Sequence, residues 1–339
     1  MIEQGKVEMN KVKKLINNVS NLVPETLEGL VLASHGRLKM VSGRNALIRS
    51  DLEDDKVALL IGGGSGHEPM YTAYVGKGWA DVSVAGHIFA APAPDLVFEA
   101  AKAAHRGRGV LFVYGNYAGD NMNFDIAAEM LTETGIEVRT VRVCDDVAVK
   151  DPAERRGIAG AFYMVKVAGA ACTRVKDIDE AERLVRKAQA NIRSIGVAVR
   201  AGSLPETGEL TFELGDDEIE IGMGAHGEPG VERRKLMPAD ELADEMTKLV
   251  VEDLPFERGD RLAMLLNNLG STTMMELMII NRRVRARLAE SGVEVVRTDA
   301  GPFLTCQEMA GMSLTLMRLD DELERALSEP AWSLGYQQT

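Results

Sequence analysis

Three glycine-bounded segments hold the residues best suited to chemistry: GGGSGHEP (62–69), NYAGDNMNF (116–124) and GMGAHGEPG (222–230). In the first, four glycines follow an apolar run, so backbone can approach a ligand closely and aim N–H groups at it. No Lys-Ser or Lys-Thr follows, which rules out a Walker loop. Glu68 and Pro69 also break the dinucleotide spacing. The segment therefore reads either as a structural glycine turn or, because His67 sits directly on it, as a small-molecule site. In the second segment, Asp120 is placed to cap a following helix or to act as a general base toward a bound hydroxyl. In the third, glycines leave His226 little steric cover, so the imidazole faces a ligand as metal ligand, base or nucleophile. Metal is the weaker choice, since no second histidine lies nearby.

The remaining candidates read as structural. His35 follows an apolar helix, His105 neighbours Arg106 and Arg108 near a helix end, and His87 follows a strand. Asp145 and Asp146 are read as solvated or capping acids, with a divalent-ion site as the functional alternative.

Positioning these segments requires strands that end in loops. Short Val-, Ile- and Leu-rich runs alternate with segments of helical period, which predicts an α/β fold with mixed sheets flanked by helices. KVALLIGGG (56–64) and GVLFVYGNY (109–117) read as strands entering loops. DLVFEAAKAAHRG (95–107) and NFDIAAEMLTETG (123–135) read as the helices that follow, and 136–143 as a further strand. DIDEAERLVRKAQANIRS (177–194) is a long amphipathic helix leading out of a first domain, 8–190, which carries the glycine loop and Asp120. The second domain, 191–339, carries His226. There SIGVAVR, ELTFEL and EIEIGMG follow one another so closely that hairpins are expected. Strand–helix alternation then returns, with a helix over 273–291.

Bulk properties narrow the partners. The 339 residues carry 39 basic and 52 acidic side chains, a net charge of −13, which disfavours nucleic acid and anionic membrane. Three scattered cysteines in no metal spacing suit a reducing compartment. The first residues have neither an apolar core nor a small-residue cleavage site, and Asn267, Asn268 and Gly270 interrupt the greasiest stretch. A cytoplasmic protein is expected.

Together the three segments resemble the motifs of the DhaK family, the dihydroxyacetone-binding subunits of dihydroxyacetone kinases. KLIN near the start, DDVAVKD, RRGIAG, SIGVAVRAGSLP, NNLGST and EMAGMSLTLMRLDDEL extend the likeness, in order, from Val12 to Leu327. The resemblance implies that His226 adds to a ketone carbon as a covalent hemiaminal. It implies that Gly64, Ser65, Gly66 and His67 grip the substrate hydroxyls, with His67 polarising or protonating the carbonyl oxygen. Asp120 then takes the proton from the terminal hydroxyl as it attacks phosphorus. A polyol without a carbonyl cannot form the hemiaminal, which provides specificity.

The resemblance further implies no cofactor on this chain. Single-chain members carry an ATP-binding domain after this region, whereas this sequence ends at Thr339. ATP with magnesium, or a held ADP recharged by a phosphotransferase-system protein, is thus expected on a separate DhaL-like subunit, and this chain is expected to form a homodimer. One departure stands out: the family's lysine before Asn-Tyr-x-Gly-Asp is here Gly115. Its loss removes a cationic donor and is expected to open space for a larger ketose, such as a tetrulose. A rival reading is a ketose-sensing coactivator of a transcription regulator, which can keep the nucleophilic histidine. Retention of His67 and Asp120 favours the kinase subunit. A sugar-phosphate isomerase would rest on the α/β pattern alone.

Overall fold

The run Val57–Ile61 is apolar without alternation, as a strand covered on both faces must be, and all five residues are fully buried. In the computed structural model, which describes residues 12–339, it forms β3 (Lys56–Ser65) at the centre of a six-stranded sheet. Around it lie β1 (Leu38–Met40), β2 (Ala46–Arg49), β4 (Val82–Ile88), β5 (Gly107–Gly115) and β6 (Val138–Val143), in the order β1-β2-β4-β3-β5-β6. The strands β4, β3, β5 and β6 are mutually parallel, while β1 and β2 add antiparallel at one edge. All four parallel strands therefore end on the same side of the sheet.

A second six-stranded sheet has the order β11-β10-β12-β7-β8-β9. Its members are β7 (Ile192–Arg200), β8 (Glu218–Ile221), β9 (Glu232–Lys235), β10 (Arg261–Asn268), β11 (Glu294–Gly301) and β12 (Ala310–Leu319). Only β10 and β11 pair in parallel. The mixed α/β architecture is as expected. The expected domain junction falls at the turn between α5 (Ile178–Ala190) and β7, and residues 8–11 lie outside the described residues.

Helices cover both outer faces. α2 (Pro94–Ala104) and α3 (Ala118–Glu133) pack Val97, Ala100, Phe124 and Leu131 on Ala58, Leu60 and Phe112 of the first sheet. α6 (Ala239–Asp253) and α7 (Met274–Glu290) do the same with Met246, Val250, Val284 and Leu288 on the second. Thr273 and Glu276 close a capping box at the start of α7, which explains its sharp onset. A helix with no polar face, α4 (Ala161–Arg174), occupies the middle, with every residue from Ala161 to Cys172 buried. Its core joins Leu59, Ile61 and Val113 of the first sheet to Ala263, Leu265 and Met317 of the second. Helices α1 (Leu22–Ala33) and α8 (Asp321–Ser328) lie near the two ends of the chain. None of the helices among the described residues is long and apolar enough to cross a membrane.

Several elements differ from the sequence reading. ELTFEL forms no strand: only Leu210 makes an isolated bridge, to Ser203, and its side chain is half exposed with no sheet to lie on. The strand that does pair with β8 is β9, Glu-Arg-Arg-Lys, whose charges mark it as a protected edge rather than a core strand. The helix expected over 177–194 stops at Ala190, and Ile192 already belongs to β7. α3 begins at Ala118, five residues before the expected start, which draws Asp120 into its first turn.

Candidate functional site

The glycine loop is the carboxyl end of β3. Gly64 and Gly66 are required by close approach: a Cβ on Gly64 would lie 2.8 Å from the Ala90 nitrogen, and one on Gly66 would lie 2.7 Å from the Phe89 ring. Gly66 also has φ +102°, where side chains are strained. The turn after β4 thus packs directly on the loop, with the Phe89 N–H donating to the Ser65 carbonyl at 2.9 Å. The Ser65 hydroxyl donates to the Gly86 carbonyl at 2.8 Å, and the Gly66 N–H is held by the Glu68 carboxylate at 3.0 Å. Both polar groups are engaged within the protein.

His67 follows, only 4% exposed, with Nδ1 2.8 Å from the Thr305 carbonyl oxygen. A carbonyl can only accept, so Nδ1 carries the hydrogen and Nε2 keeps its lone pair. Burial, followed by the neighbouring His226, pushes the His67 pKa down to about 3. The ring is therefore neutral at pH 7, and its Nε2 can accept a hydrogen bond but has no proton to donate. Thr305 is placed by Asn267, from NNLGST at the end of β10. Its carboxamide accepts from the N–H groups of Phe303 and Leu304 and donates to the Leu304 carbonyl and the Ser313 hydroxyl. Asn267→Ala would orphan buried groups on that segment and is expected to cost roughly 2–4 kcal/mol, read as a lower denaturation midpoint.

The second imidazole arrives from the other sheet. His226 lies in the loop between β8 and β9, where the Gly222 N–H donates to the Gly196 carbonyl at 2.7 Å. Arg156 donates to the Gly222 carbonyl at 2.8 Å and, through Nε, to Asp146 at 2.8 Å. The His226 ring stands edge-on to His67 at 4.7 Å, to Tyr117 at 4.7 Å and to Phe89 at 5.4 Å between centroids. These rings come from the loops after β3, β4 and β5 and from the second sheet. Ligands of parallel α/β sheets bind at such carboxyl ends.

Asp120 stands in the first turn of α3, at 9% exposure. It does not cap the helix; Tyr117 occupies the N-cap position without a side-chain bond. Among the described residues its Oδ1 has no hydrogen-bond partner. Burial, partly offset by His226, raises its pKa to about 6. At Gly115 the expected open space is filled: a Cβ would lie 3.0 Å from the Tyr117 ring and 3.2 Å from the Tyr71 hydroxyl. That hydroxyl accepts from the Gly115 N–H at 3.3 Å.

Asp145 and Asp146 are not solvated: both are buried and engaged by the protein. Asp145 accepts from the Ile158 and Gly160 N–H groups at 2.8 Å each, shaping the entry to α4, while Asp146 holds Arg156 and the Ala148 N–H. His35, His87 and His105 take no part in the ring cluster, and His87 is exposed. Among the described residues there is no group of three metal-ligating side chains. Sequence reasoning assigned no role to Phe89, Tyr117, Glu228 or the Thr305 carbonyl. The His-x-Glu spacing at 226–228 was the available signal; nothing local marks Thr305.

Two imidazoles and two further rings thus meet beside the carboxyl ends of β3, β4 and β5, with His226 supplied by the β8–β9 loop and Asp120 by the first turn of α3. The chain belongs to the Dak1 domain family, whose model matches residues 28–334. It is 40% identical over 322 residues to a PTS-dependent dihydroxyacetone kinase, dihydroxyacetone-binding subunit DhaK, of Listeria innocua, covering 94% of this chain and 97% of that protein. It is also 40% identical to an L-erythrulose 1-kinase of Mycolicibacterium smegmatis, covering 95% of this chain but 57% of that protein. Among solved structures, a dihydroxyacetone kinase operon co-activator, DhaQ, superposes with a TM-score of 0.88 at 29% identity, covering 93% of this chain and 99% of that one. The dihydroxyacetone kinase of C. freundii superposes equally well, TM-score 0.88 at 31% identity, covering 96% of this chain and 60% of that one.

Proposed function

We propose that this chain is the ketose-binding subunit of a dihydroxyacetone-type kinase. The observation that carries the reading is the 4.7 Å approach of His226 to His67, with the buried Asp120 near enough for the His226 ring to act on its carboxyl. His226 adds to the ketone carbon as a hemiaminal. His67, neutral with a free Nε2, accepts a hydrogen bond from a substrate hydroxyl; protonating the carbonyl oxygen would first require charging a buried ring, which burial opposes. Asp120 accepts the proton of the terminal hydroxyl during transfer. The backbone of Gly64 to Gly66 shapes the wall of the cleft, and Gly115 adjoins it.

The phosphoryl donor is ATP with magnesium, or a recharged ADP, on a separate DhaL-like subunit, with a phosphotransferase-system protein in the latter case. Names of relatives support this, since the Listeria subunit is described as PTS-dependent. The longer kinases extend well beyond the region matched by this chain. Homodimerisation is part of the same proposal.

The co-activator neighbour keeps a second reading in view, that of a ketose sensor. Asp120 favours the kinase, because a buried carboxyl with an unpaired oxygen is a cost without a use in a pure sensor. We also propose that a tetrulose is preferred to dihydroxyacetone, on the likeness to erythrulose kinases and the absence of a cation at Gly115. The crowding at Gly115 means that extra room must come from movement of Tyr117 or Tyr71. One assay tests both points: this chain is mixed with a DhaL-like subunit and ATP, with dihydroxyacetone and erythrulose as competing substrates. Partner-dependent turnover with erythrulose preferred is expected. No consumption of ATP with any ketose would establish the sensor, and preference for dihydroxyacetone would refute the tetrulose assignment.

A further inference from the structure

We infer that Glu228 is the positioning residue of the site: it fixes the tautomer and direction of His226 so that Nε2 is the atom presented to a carbonyl. The loop is shaped for this contact. Glu228 Oε1 lies 2.7 Å from His226 Nδ1, and Oε2 accepts the His226 backbone N–H at 2.9 Å. One carboxylate thus holds both the ring and the main chain of the same residue. Gly227, with φ +90°, turns the chain back so that a side chain two residues on can reach the ring. At Gly224 a Cβ would fall 2.1 Å from Glu228 Oε2, so a side chain there would displace the carboxylate. The Gly224 N–H closes the loop on the Glu228 carbonyl at 3.0 Å.

The electrostatics agree with the geometry. Burial works against the charge on Glu228, but the hydrogen bonds it accepts from the His226 ring and backbone outweigh it and hold the carboxyl below its usual range. The carboxylate is ionised at any working pH and is an acceptor only. In the neutral ring Nδ1 must then carry the hydrogen, and Nε2 the lone pair. This pairing rests on the hemiaminal reading for its consequence. When the Nε2 pair bonds to the carbonyl carbon, the C=O π pair moves to oxygen, which takes a proton from solvent. The imidazole is left cationic, and Nδ1–H faces a carboxylate that stabilises that charge. An exposed histidine lacks this compensation, which explains why an ordinary imidazole holds a ketone poorly.

The test uses the full chain labelled with 15N-histidine, and dihydroxyacetone labelled with 13C at the carbonyl. Nitrogen spectra of the ligand-free protein are expected to show His226 protonated at Nδ1. In Glu228→Ala that preference should be lost, with a mixture of tautomers or an Nε2–H ring. Glu228→Gln, which keeps an acceptor but not the charge, is expected to retain the tautomer yet bind the ketose roughly ten- to hundred-fold more weakly. The same variant checks the proposal if the alanine variant does not fold. An unchanged Nδ1–H tautomer in Glu228→Ala, or unchanged ketose affinity in Glu228→Gln, would overturn the role of Glu228. Absence of a tetrahedral carbon signal in the wild-type protein would instead overturn the hemiaminal, while the nitrogen spectra would still judge Glu228.

Discussion

Replacing His226 with asparagine is expected to abolish covalent ketose capture and to erase discrimination between ketoses and polyols. The wild-type chain incubated with dihydroxyacetone should show an intact mass increased by one ketose, and the variant none. Affinity for the ketose should fall at least ~100-fold, approaching that for glycerol, because only hydrogen bonds common to both remain. Asparagine keeps an amide that can bond to Glu228, so the loop should survive and the loss should be chemical. If the variant still prefers dihydroxyacetone over glycerol, specificity resides in the walls of the cleft and not in a bond to His226.

Asp120→Asn separates capture from transfer. The adduct on His226 should persist, while partner-dependent phosphorylation drops by roughly 10²- to 10⁴-fold, the usual worth of a positioned base. The pKa near 6 fixes the pH dependence. Asp120 must be ionised to accept a proton, so wild-type turnover should rise as pH passes upward through about 6, and the variant should lose that limb. The same shift makes a stability prediction of opposite sign. The folded chain keeps a proton on Asp120 up to about 6 that an unfolded aspartic acid releases near 3.8. Stability from this group is therefore full below the lower value and declines as pH rises across that window. At pH 7 the asparagine variant should be more stable, by up to about 3 kcal/mol. A variant less stable than wild type would show that the carboxylate has a partner that compensates its burial.

The two predictions depend on the sequence to different degrees. Glycines on either side of His226 marked an accessible imidazole before any coordinates, because small neighbours leave a ring uncovered. Asp120 was read more readily as a helix cap, since an acid ahead of a helical run does that in most chains. The helix proved to begin at Ala118, so the same residue became an unpaired carboxyl in the first turn. Its raised pKa comes from burial, against which the distant His226 works. Gly115 shows the converse error. A missing side chain suggests a void, yet Tyr117 and Tyr71 close the space.

Periodicity carried the α/β class well, because β3 and β5 are unbroken apolar runs and α2 and α7 end on recognisable signals. It failed at α4, where a helix buried on every side, Lys166 included, has no apolar stripe to detect, and at β9, whose charges conceal a strand at a sheet edge. At α4 the deciding contacts lie far along the chain, in both sheets, whereas β9 pairs with the neighbouring β8 and is hidden by its composition alone.

By itself, the amino-acid sequence determined which side chains could do chemistry: an accessible His226, a loop-borne His67 and an acid at position 120, within motifs like those of a ketose kinase subunit. Only the tertiary structure decided what each of them can do. It brings His226 from the second sheet against His67 from the first, gives Nδ1 of one to Glu228 and of the other to Thr305, and buries Asp120 with Oδ1 unpaired among the described residues. Protonation state and reach depend on burial and on neighbours more than a hundred positions away, as with His67 and Thr305. Of these contacts only the His226–Glu228 pair is local in sequence.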